Sequence, residues 1–144
     1  MELALRDVVK TFGSFRALDG VSLSIPSGQK VALIGPNGSG KSTLTRILMG
    51  MSAFEGRALL DGLSPLEKRM SLARRMAYVP QNPPRLAASV ADVVEAVATI
   101  REIDPNQVGE TAARLELNLE ALADRPGRDL SAGMKQKLMI ALAL

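Results

Sequence analysis

The sequence has 144 residues, a length typical of one domain, and its 47% hydrophobic and 23% charged residues exclude a disordered or low-complexity chain. It contains no cysteine and no histidine, which excludes disulfide scaffolds, Cys- or His-ligated metal sites and His-based catalytic triads. The net charge of +3 comes from interspersed charges of both signs, and aromatic residues make up 3%, so nucleic-acid binding is not expected.

The first third of the chain reads as strands and turns. Residues 3–9 predict one strand, and residues 21–25 alternate apolar and serine side chains, as a half-buried strand does. Residues 30–34 form a short apolar run bounded by glycine, which is typical of a strand covered on both faces. Glycine, proline and asparagine then cluster over residues 35–40. A helix should follow, with Leu44, Ile47 and Leu48 on one face.

Helix starts are well marked in the rest of the chain. Residues 64–67 place a serine cap, a first-turn proline and a third-position glutamate in order, and residues 104–107 repeat the scheme with Asp and Gln. Residues 76–79 predict a strand between them. Ser89 is a candidate cap for a further helix. The valines at helical spacing behind it, which we expect to lie in the core, are Val90, Val93, Val94 and Val97.

This alternation of strands and helices predicts an α/β domain with a mainly parallel sheet. We divide the chain into a core with a β-subdomain (1–84), a helical lobe (85–130) and a final helix (131–144). The longest strictly apolar stretch, residues 138–144, is too short to span a membrane. Charged residues near the amino end interrupt the apolar core that a signal peptide would need. We therefore expect a cytosolic protein, or one held on the cytosolic face of a membrane by a partner.

The most specific motif is the glycine-rich segment before the first predicted helix, which fits the Walker A pattern G-x-x-x-x-G-K-[ST]. Glycines let backbone N–H groups approach phosphate oxygens closely, and the following helix presents its positive amino end. Lys41 adds a charge for the outer phosphates, Ser42 offers a hydroxyl to magnesium, and Thr43 can cap the helix or touch a phosphate. The candidate nucleotide-binding residues are Gly35, Pro36, Asn37, Gly38, Ser39, Gly40, Lys41, Ser42 and Thr43.

Two other interpretations of this segment are weaker. A flexible glycine turn with a surface lysine does not explain why the motif lies between a predicted strand and a predicted helix. A dinucleotide-binding fingerprint would need a third glycine where Thr43 stands.

A Walker A pattern occurs in many nucleotide-binding proteins, and further motifs indicate which family this chain resembles. The segment Leu130-Ser131-Ala132-Gly133-Met134 resembles the L-S-G-G-Q signature of ATP-binding-cassette (ABC) proteins. Gln81 follows a short predicted strand, where that family has its Q-loop, and Phe12 lies in a segment that resembles its adenine-stacking loop. Residues 17–29 look like its usual lead into Walker A. The resemblance covers the whole chain and implies a P-loop NTPase fold with a mainly parallel core sheet, an N-terminal antiparallel β-subdomain and a helical lobe.

The resemblance also implies roles for single residues. Phe12 would stack on adenine, although Phe15 is a nearby competitor and a core phenylalanine is an alternative. Gln81 would reach magnesium and the attacking water, unless it is an ordinary surface glutamine. Lys41 and Gln81 are thus the candidate catalytic residues, and Ser42 and Gln81 the candidate magnesium ligands.

The signature segment would contact the γ-phosphate of ATP bound to a second subunit through residues Leu130, Ser131, Ala132, Gly133 and Met134. An ordinary serine helix cap is the alternative for Ser131. Ala132 and Met134 depart from the family's glycine and glutamine. Alanine is acceptable if its backbone stays helical. Met134 removes a polar side chain, and the form of this segment is similar to signatures in some ABC exporters.

The family's Walker B aspartate, catalytic glutamate and switch histidine have no counterpart in these residues. We therefore expect a truncated cassette, incomplete at the C-terminus, that is poorly stable and inactive in ATP turnover by itself. The apolar end of the last helix, which would need cover on every side, supports this expectation.

The resemblance implies the ATP-binding subunit of an ABC transporter with ATP and Mg²⁺ as cofactors, peripheral on the cytosolic face of the membrane. Its partners would be a second cassette, in a head-to-tail dimer, and membrane-spanning subunits that dock on residues 85–103. A soluble ABC ATPase acting in translation or DNA repair is an alternative. A nucleotide-binding fragment without hydrolysis is another.

Overall fold

The structure, a computed structural model, describes all 144 residues and divides into two compact units, Met1–Met76 and Ala77–Leu144. The elements of the first unit are β1 (Leu3–Phe12), β2 (Phe15–Ile25), α1 (Lys41–Leu48), β3 (Glu55–Leu60) and α2 (Arg69–Ala73). Those of the second unit are α3 (Val90–Arg101), α4 (Pro105–Arg114), α5 (Ala132–Ala143) and the short 3₁₀ turns Glu120–Leu122 and Gly127–Asp129. None of the helices combines the length and the apolar composition that a membrane-spanning segment needs.

The first unit is a three-stranded antiparallel sheet with the order β2-β1-β3, packed against α1. The predicted strands at residues 3–9 and 21–25 are confirmed within β1 and β2. The predicted apolar face of α1 is also confirmed, because Leu44 and Ile47 are buried in one cluster with the sheet. Truncating a wholly buried aliphatic side chain such as Ile47 to alanine typically costs about 2–5 kcal/mol.

The predicted strand over residues 30–34 is wrong, as is the one over residues 76–79. Both segments are irregular, and Val31, Leu33 and Ile34 are 59%, 51% and 90% exposed. An apolar run records a preference for burial, but a strand forms only when a neighbouring strand accepts its backbone hydrogen bonds. The described residues contain no such neighbour for either segment, so the expected parallel sheet is absent and every strand pair is antiparallel.

The antiparallel β-subdomain is confirmed, but its strand β3 is not evident from the sequence. Residues 55–60 lack period-two alternation, and Gly56 has φ +90°. In the structure β3 pairs with β1, Leu3 opposite Leu60 and Arg6 opposite Arg57. Ala58 of β3 is then buried in the same cluster as residues of β1, β2 and α1, and Leu60 is also buried.

The helix predicted from residues 64–67 begins later, at Arg69. The Ser64 hydroxyl accepts the Glu67 N–H at 3.4 Å and its carbonyl accepts the Lys68 N–H at 2.9 Å, which closes a single turn. Lys68 then leaves the helical region, with φ −113° and ψ 30°, so α2 starts anew behind it.

The second unit confirms the expected helical lobe. Ser89 caps α3 in a capping box with Asp92, and Asp104 caps α4 in front of Pro105. Of the valine stripe, Val90 is fully buried and the other three are partly buried against the same core. That core also contains Leu138 and Leu142 of α5, whose apolar sequence is therefore covered on one side.

The turn behind β3 carries an anchored carboxylate. Asp61 accepts the Glu2 N–H at 2.6 Å and pairs with the Arg75 guanidinium. The Glu2 amide and the Arg75 charge together hold the pKa of the Asp61 carboxyl below its ordinary value. A lowered carboxyl pKa stabilises the folded state at neutral pH, and this contribution is lost as the pH falls through the lowered value.

We therefore expect Asp61→Asn to lower the free energy of unfolding at pH 7, and the difference from the parent chain to shrink as the pH falls below the ordinary aspartate pKa of about 3.9. Urea unfolding at a series of pH values measures this difference. The matched control is Asp124→Asn, which removes an exposed carboxylate that makes no hydrogen bond or ion pair. A loss of stability that is the same at every pH would contradict the assignment.

Candidate functional site

The glycine-rich segment lies between the irregular residues 30–34 and helix α1, and it bends sharply. Gly38 and Gly40 have φ +85° and +86°, a region that residues with a Cβ rarely adopt. The Ser39 N–H closes a turn on the Pro36 carbonyl at 3.3 Å. The chain therefore folds into a compact loop that ends directly at the amino end of α1.

Gly40 is also pressed against the sheet. A Cβ at this position would lie 2.6 Å from the Ala17 carbonyl oxygen and 2.7 Å from Leu18 Cδ2 of β2. Leu18 is itself buried in the core with α1. Glycine is therefore required at position 40 for two reasons, the left-handed backbone conformation and the close approach of β2. The contact with β2 also fixes where α1 begins.

The first N–H groups of α1 have no acceptor within the chain. Gly40 provides no side-chain cap, and neither Lys41, Ser42 nor Thr43 donates its N–H to a backbone carbonyl. Helix α3 differs, because its first N–H groups bind the carbonyls of Arg125 and Ala123. Unpaired N–H groups at a helix start, together with the positive end of the helix dipole, attract anions.

The Lys41 ammonium lies over the same loop. Its Nζ donates to the carbonyl oxygens of Gly35 and Pro36, both at 2.7 Å, and lies 3.4 Å from Ser39 Oγ. No carboxylate pairs with it. The positive charge is held by neutral oxygens, which an oxyanion can replace with a gain in electrostatic energy.

The loop therefore fits the phosphates of a nucleotide, and it offers one oxygen to a metal. Ser42 is exposed in the first turn of α1, so its hydroxyl can serve as a ligand. No group of three or more Asp or Glu side chains is placed to hold a metal ion. Magnesium commonly takes few protein ligands and completes its shell with substrate phosphates and water, so the residues present fit that mode of binding.

The predicted adenine-stacking residue lies at a hairpin tip. Phe12 and Phe15 face each other where β1 and β2 join, and they are 50% and 59% exposed. Lys10 Nζ lies 4.8 Å from the centroid of the Phe12 ring. A core position is excluded for Phe12, and both rings are open to solvent.

Gln81 and the signature segment belong to the second unit. Gln81 is exposed in an irregular stretch, and its side chain makes no hydrogen bond. In the signature, Leu130 is 4% exposed and Ser131 caps α5 by accepting the Met134 N–H at 3.2 Å. Ala132 is the first helical residue of α5, so the backbone accepts alanine there.

The N–H groups of Ala132 and Gly133 have no acceptor within the chain, so the start of α5 is also open to an anion. Behind it, Lys135 Nζ donates to the Arg128 carbonyl at 2.7 Å and ties α5 to the preceding 3₁₀ turn. The sequence did not predict this contact, nor the close approach of Gly40 to the Ala17 carbonyl. A lysine four residues after the cap Ser131 was the signal available for the Lys135 contact. The sequence carries no signal for the approach of Gly40 to Ala17.

Comparison with known proteins supports a single family. A family model described as ABC transporter matches residues 18–144. The chain is 38% identical to a protein named sulfate/thiosulfate import ATP-binding protein CysA from Nephroselmis olivacea, over 100% of this chain and 43% of that protein. It is 34% identical to the protein of that name from Methylococcus capsulatus, with the same coverage. The chain thus spans less than half the length of these relatives.

Solved structures agree with the sequence matches. The fold is similar to a structure titled as the ATP-binding subunit of an ABC transporter, with a TM-score of 0.84, 26% identity, and coverage of 99% of this chain and 61% of that one. It is also similar to a bacterial Atm1-family ABC exporter with ATP bound, with a TM-score of 0.82, 27% identity, and coverage of 99% and 27%. The P-loop NTPase fold predicted from the sequence is confirmed by these neighbours.

We expect Gly40→Ala to lower the free energy of unfolding by more than about 2 kcal/mol, because it adds a clash with the Ala17 carbonyl to the cost of a left-handed alanine. Gly28→Ala is the matched control. Gly28 has φ +83° with nothing within 4 Å of its Cβ position, so this variant should cost only about 1 kcal/mol. Urea unfolding compares the two variants, and equal losses would show that the contact with β2 is unimportant.

We expect Ser131→Ala to lower the free energy of unfolding by about 1 kcal/mol, because the Met134 N–H loses its acceptor. Ser71→Ala, at an exposed position inside α2 without a side-chain hydrogen bond, should change it by a few tenths at most. If the two variants unfold alike in urea, Ser131 does not cap α5.

Proposed function

Because this chain belongs to the ABC transporter family, we propose that it is part of an ATP-binding subunit that couples ATP binding and hydrolysis to movement of a substrate across a membrane. The observation that supports this best is the loop before α1, where three unpaired backbone N–H groups and an ammonium without a carboxylate partner converge. Such a constellation is suited to the outer phosphates of a nucleotide.

Binding proceeds by exchange of hydrogen-bond acceptors. Lys41 Nζ leaves the carbonyls of Gly35 and Pro36 for phosphate oxygens, and the N–H groups at the start of α1 gain their first acceptors. Ser42 and Gln81 would hold magnesium, which supplies charge neutralisation at the phosphates when it is bound with ATP. Gln81 would also orient the attacking water, and the exposed ring of Phe12 would stack on the adenine, with Phe15 as its competitor.

The signature is proposed to act on a second copy of the cassette. Ser131 and the free N–H groups of Ala132 and Gly133 would face the γ-phosphate of ATP held by the other subunit, so that two cassettes close head to tail on two ATP molecules. Leu130 anchors this segment in the core of its own unit. Met134 would bring an apolar side chain to a position where the family has a polar one.

Partner membrane subunits would dock on residues 85–103, which include the exposed side chains of Arg85 and Ile100. The chain would then lie on the cytosolic face of a membrane. Relatives named as import ATP-binding proteins favour import over the export suggested by the form of the signature. The chain covers only 43% of the length of each of these two relatives. We therefore propose ATP hydrolysis for the whole subunit and not for these 144 residues alone.

We expect Lys41→Ala to weaken ATP binding by about 10- to 100-fold, because a charge-assisted hydrogen bond contributes about 1.5–3 kcal/mol. Equilibrium titration of the chain with a fluorescent ATP analogue measures the affinity. Lys30→Ala removes an equal charge from an exposed position in the segment before the loop and should change the affinity less than about twofold. Unchanged affinity in Lys41→Ala would remove the central argument for this function.

A further inference from the structure

Arg101 joins the ends of two helices in the second unit. It is the last residue of α3, and its Nη1 donates to the carbonyl oxygen of Leu142, in the last turn of α5, at 2.6 Å. Helix α4 packs against both α3 and α5, whereas this hydrogen bond connects α3 with α5 directly. The proposed nucleotide and signature contacts do not include Arg101.

The guanidinium of Arg101 is restricted to one orientation. Its Nε is buried and has no hydrogen-bond acceptor within the chain, so the group reaches Leu142 from a partly buried position. The backbone that carries it is also fixed. The Ile103 N–H donates to the Ala98 carbonyl at 3.0 Å, and Glu102 closes the end of α3 in the left-handed conformation, with φ +57°. Arg101 therefore extends from a defined point to a defined acceptor.

The bond to Leu142 constrains α5 in a way that its apolar contacts do not. Leu138, Ala141 and Leu142 are buried in the core of the second unit. Burial of apolar surface is non-directional, so it holds a helix against its neighbours but opposes small shifts along the helix axis only weakly. A charge-assisted hydrogen bond is short and directional. The bond from Arg101 therefore specifies where this end of α5 lies relative to α3.

The start of α5 depends on the position of its other end. The helix has 12 residues and is therefore a rod about 18 Å long. Its first turn carries the Ser131 cap and the open N–H groups of Ala132 and Gly133, and Lys135 ties that turn to the preceding 3₁₀ turn. Because backbone hydrogen bonds keep the rod stiff, a change of tilt at Leu142 also changes the direction of the N–H groups at its start.

We propose that Arg101 is a positioning residue that orients α5, and with it the signature segment, relative to α3. This inference rests on the proposed role of the signature at the ATP of a second copy. Arg101 acts through the Leu142 carbonyl and not by contact with the nucleotide. An arginine that served only as a local cap would change stability on removal but would leave the direction of α5 unchanged.

The test measures the distance between α3 and α5 in the 144-residue chain. The chain has no cysteine, so Ala96→Cys and Gln136→Cys introduce the only two sites for nitroxide labels, and pulsed electron paramagnetic resonance gives the distance between them. We expect Arg101→Met to shift the most probable distance by about 2 Å or to broaden its distribution. Arg101→Lys keeps a charged donor and should restore most of the parent distribution.

Arg114→Met is the matched control. Arg114 is the last residue of α4, as Arg101 is of α3, but it is exposed and makes no hydrogen bond or ion pair. Its removal should leave the distance unchanged. Circular dichroism shows whether each variant is folded.

Nuclear magnetic resonance of the parent chain gives a second measurement, which decides the matter if Arg101→Met does not fold. A guanidinium held by a hydrogen bond rotates slowly and gives separate Nη resonances, whereas a free guanidinium gives an averaged one. We expect separate resonances for Arg101 and averaged resonances for Arg114.

Three results would overturn the proposal. Folded Arg101→Met could keep the parent distance, or both Arg101 variants could change it equally, which would make the charged donor irrelevant. The Nη resonances of Arg101 could be averaged like those of Arg114. All of these measurements are made without ATP, so their failure is distinct from a failure of the chain to bind the ATP analogue, which bears on the proposed function alone.

Discussion

The candidate nucleotide site depends on one steric constraint, the contact of Gly40 with the backbone of β2. Only glycine fits this close approach, and because it has no Cβ it also lets the chain turn through a left-handed conformation at the last residue before α1. The helix consequently begins without a side-chain cap, and its first N–H groups remain unpaired. N–H groups at an open helix start can be satisfied by water or by a ligand, so this end of α1 remains available to an anion.

The position of Lys41 follows from the same turn. The side chain of the first residue of α1 folds back over the loop, where two carbonyls hold the ammonium at 2.7 Å. Because these acceptors are neutral, the charge is not cancelled and the loop stays attractive to anions. The loop thus combines a positive helix end, free N–H groups and an ammonium group that has no carboxylate partner.

In the second unit, the N–H groups at the starts of α3 and α5 differ in whether they have acceptors. The start of α3 is satisfied by Ser89 and by carbonyls from residues 123–125, whereas the start of α5 keeps two N–H groups open beside the Ser131 cap. At the other end of α5, Arg101 donates to the Leu142 carbonyl at 2.6 Å.

Features that depend on local chemistry could be predicted from the order of the amino acids. The caps at Ser89, Asp104 and Ser131 and the apolar face of α1 could be predicted because each is set by neighbours within a few residues. Three features became apparent only in the tertiary structure: the pairing of β3 with β1, the irregular course of residues 30–34 and the close approach of Gly40 to the Ala17 carbonyl. These depend on backbone groups from distant parts of the chain, and side-chain periodicity carries no record of which partner a backbone group will meet.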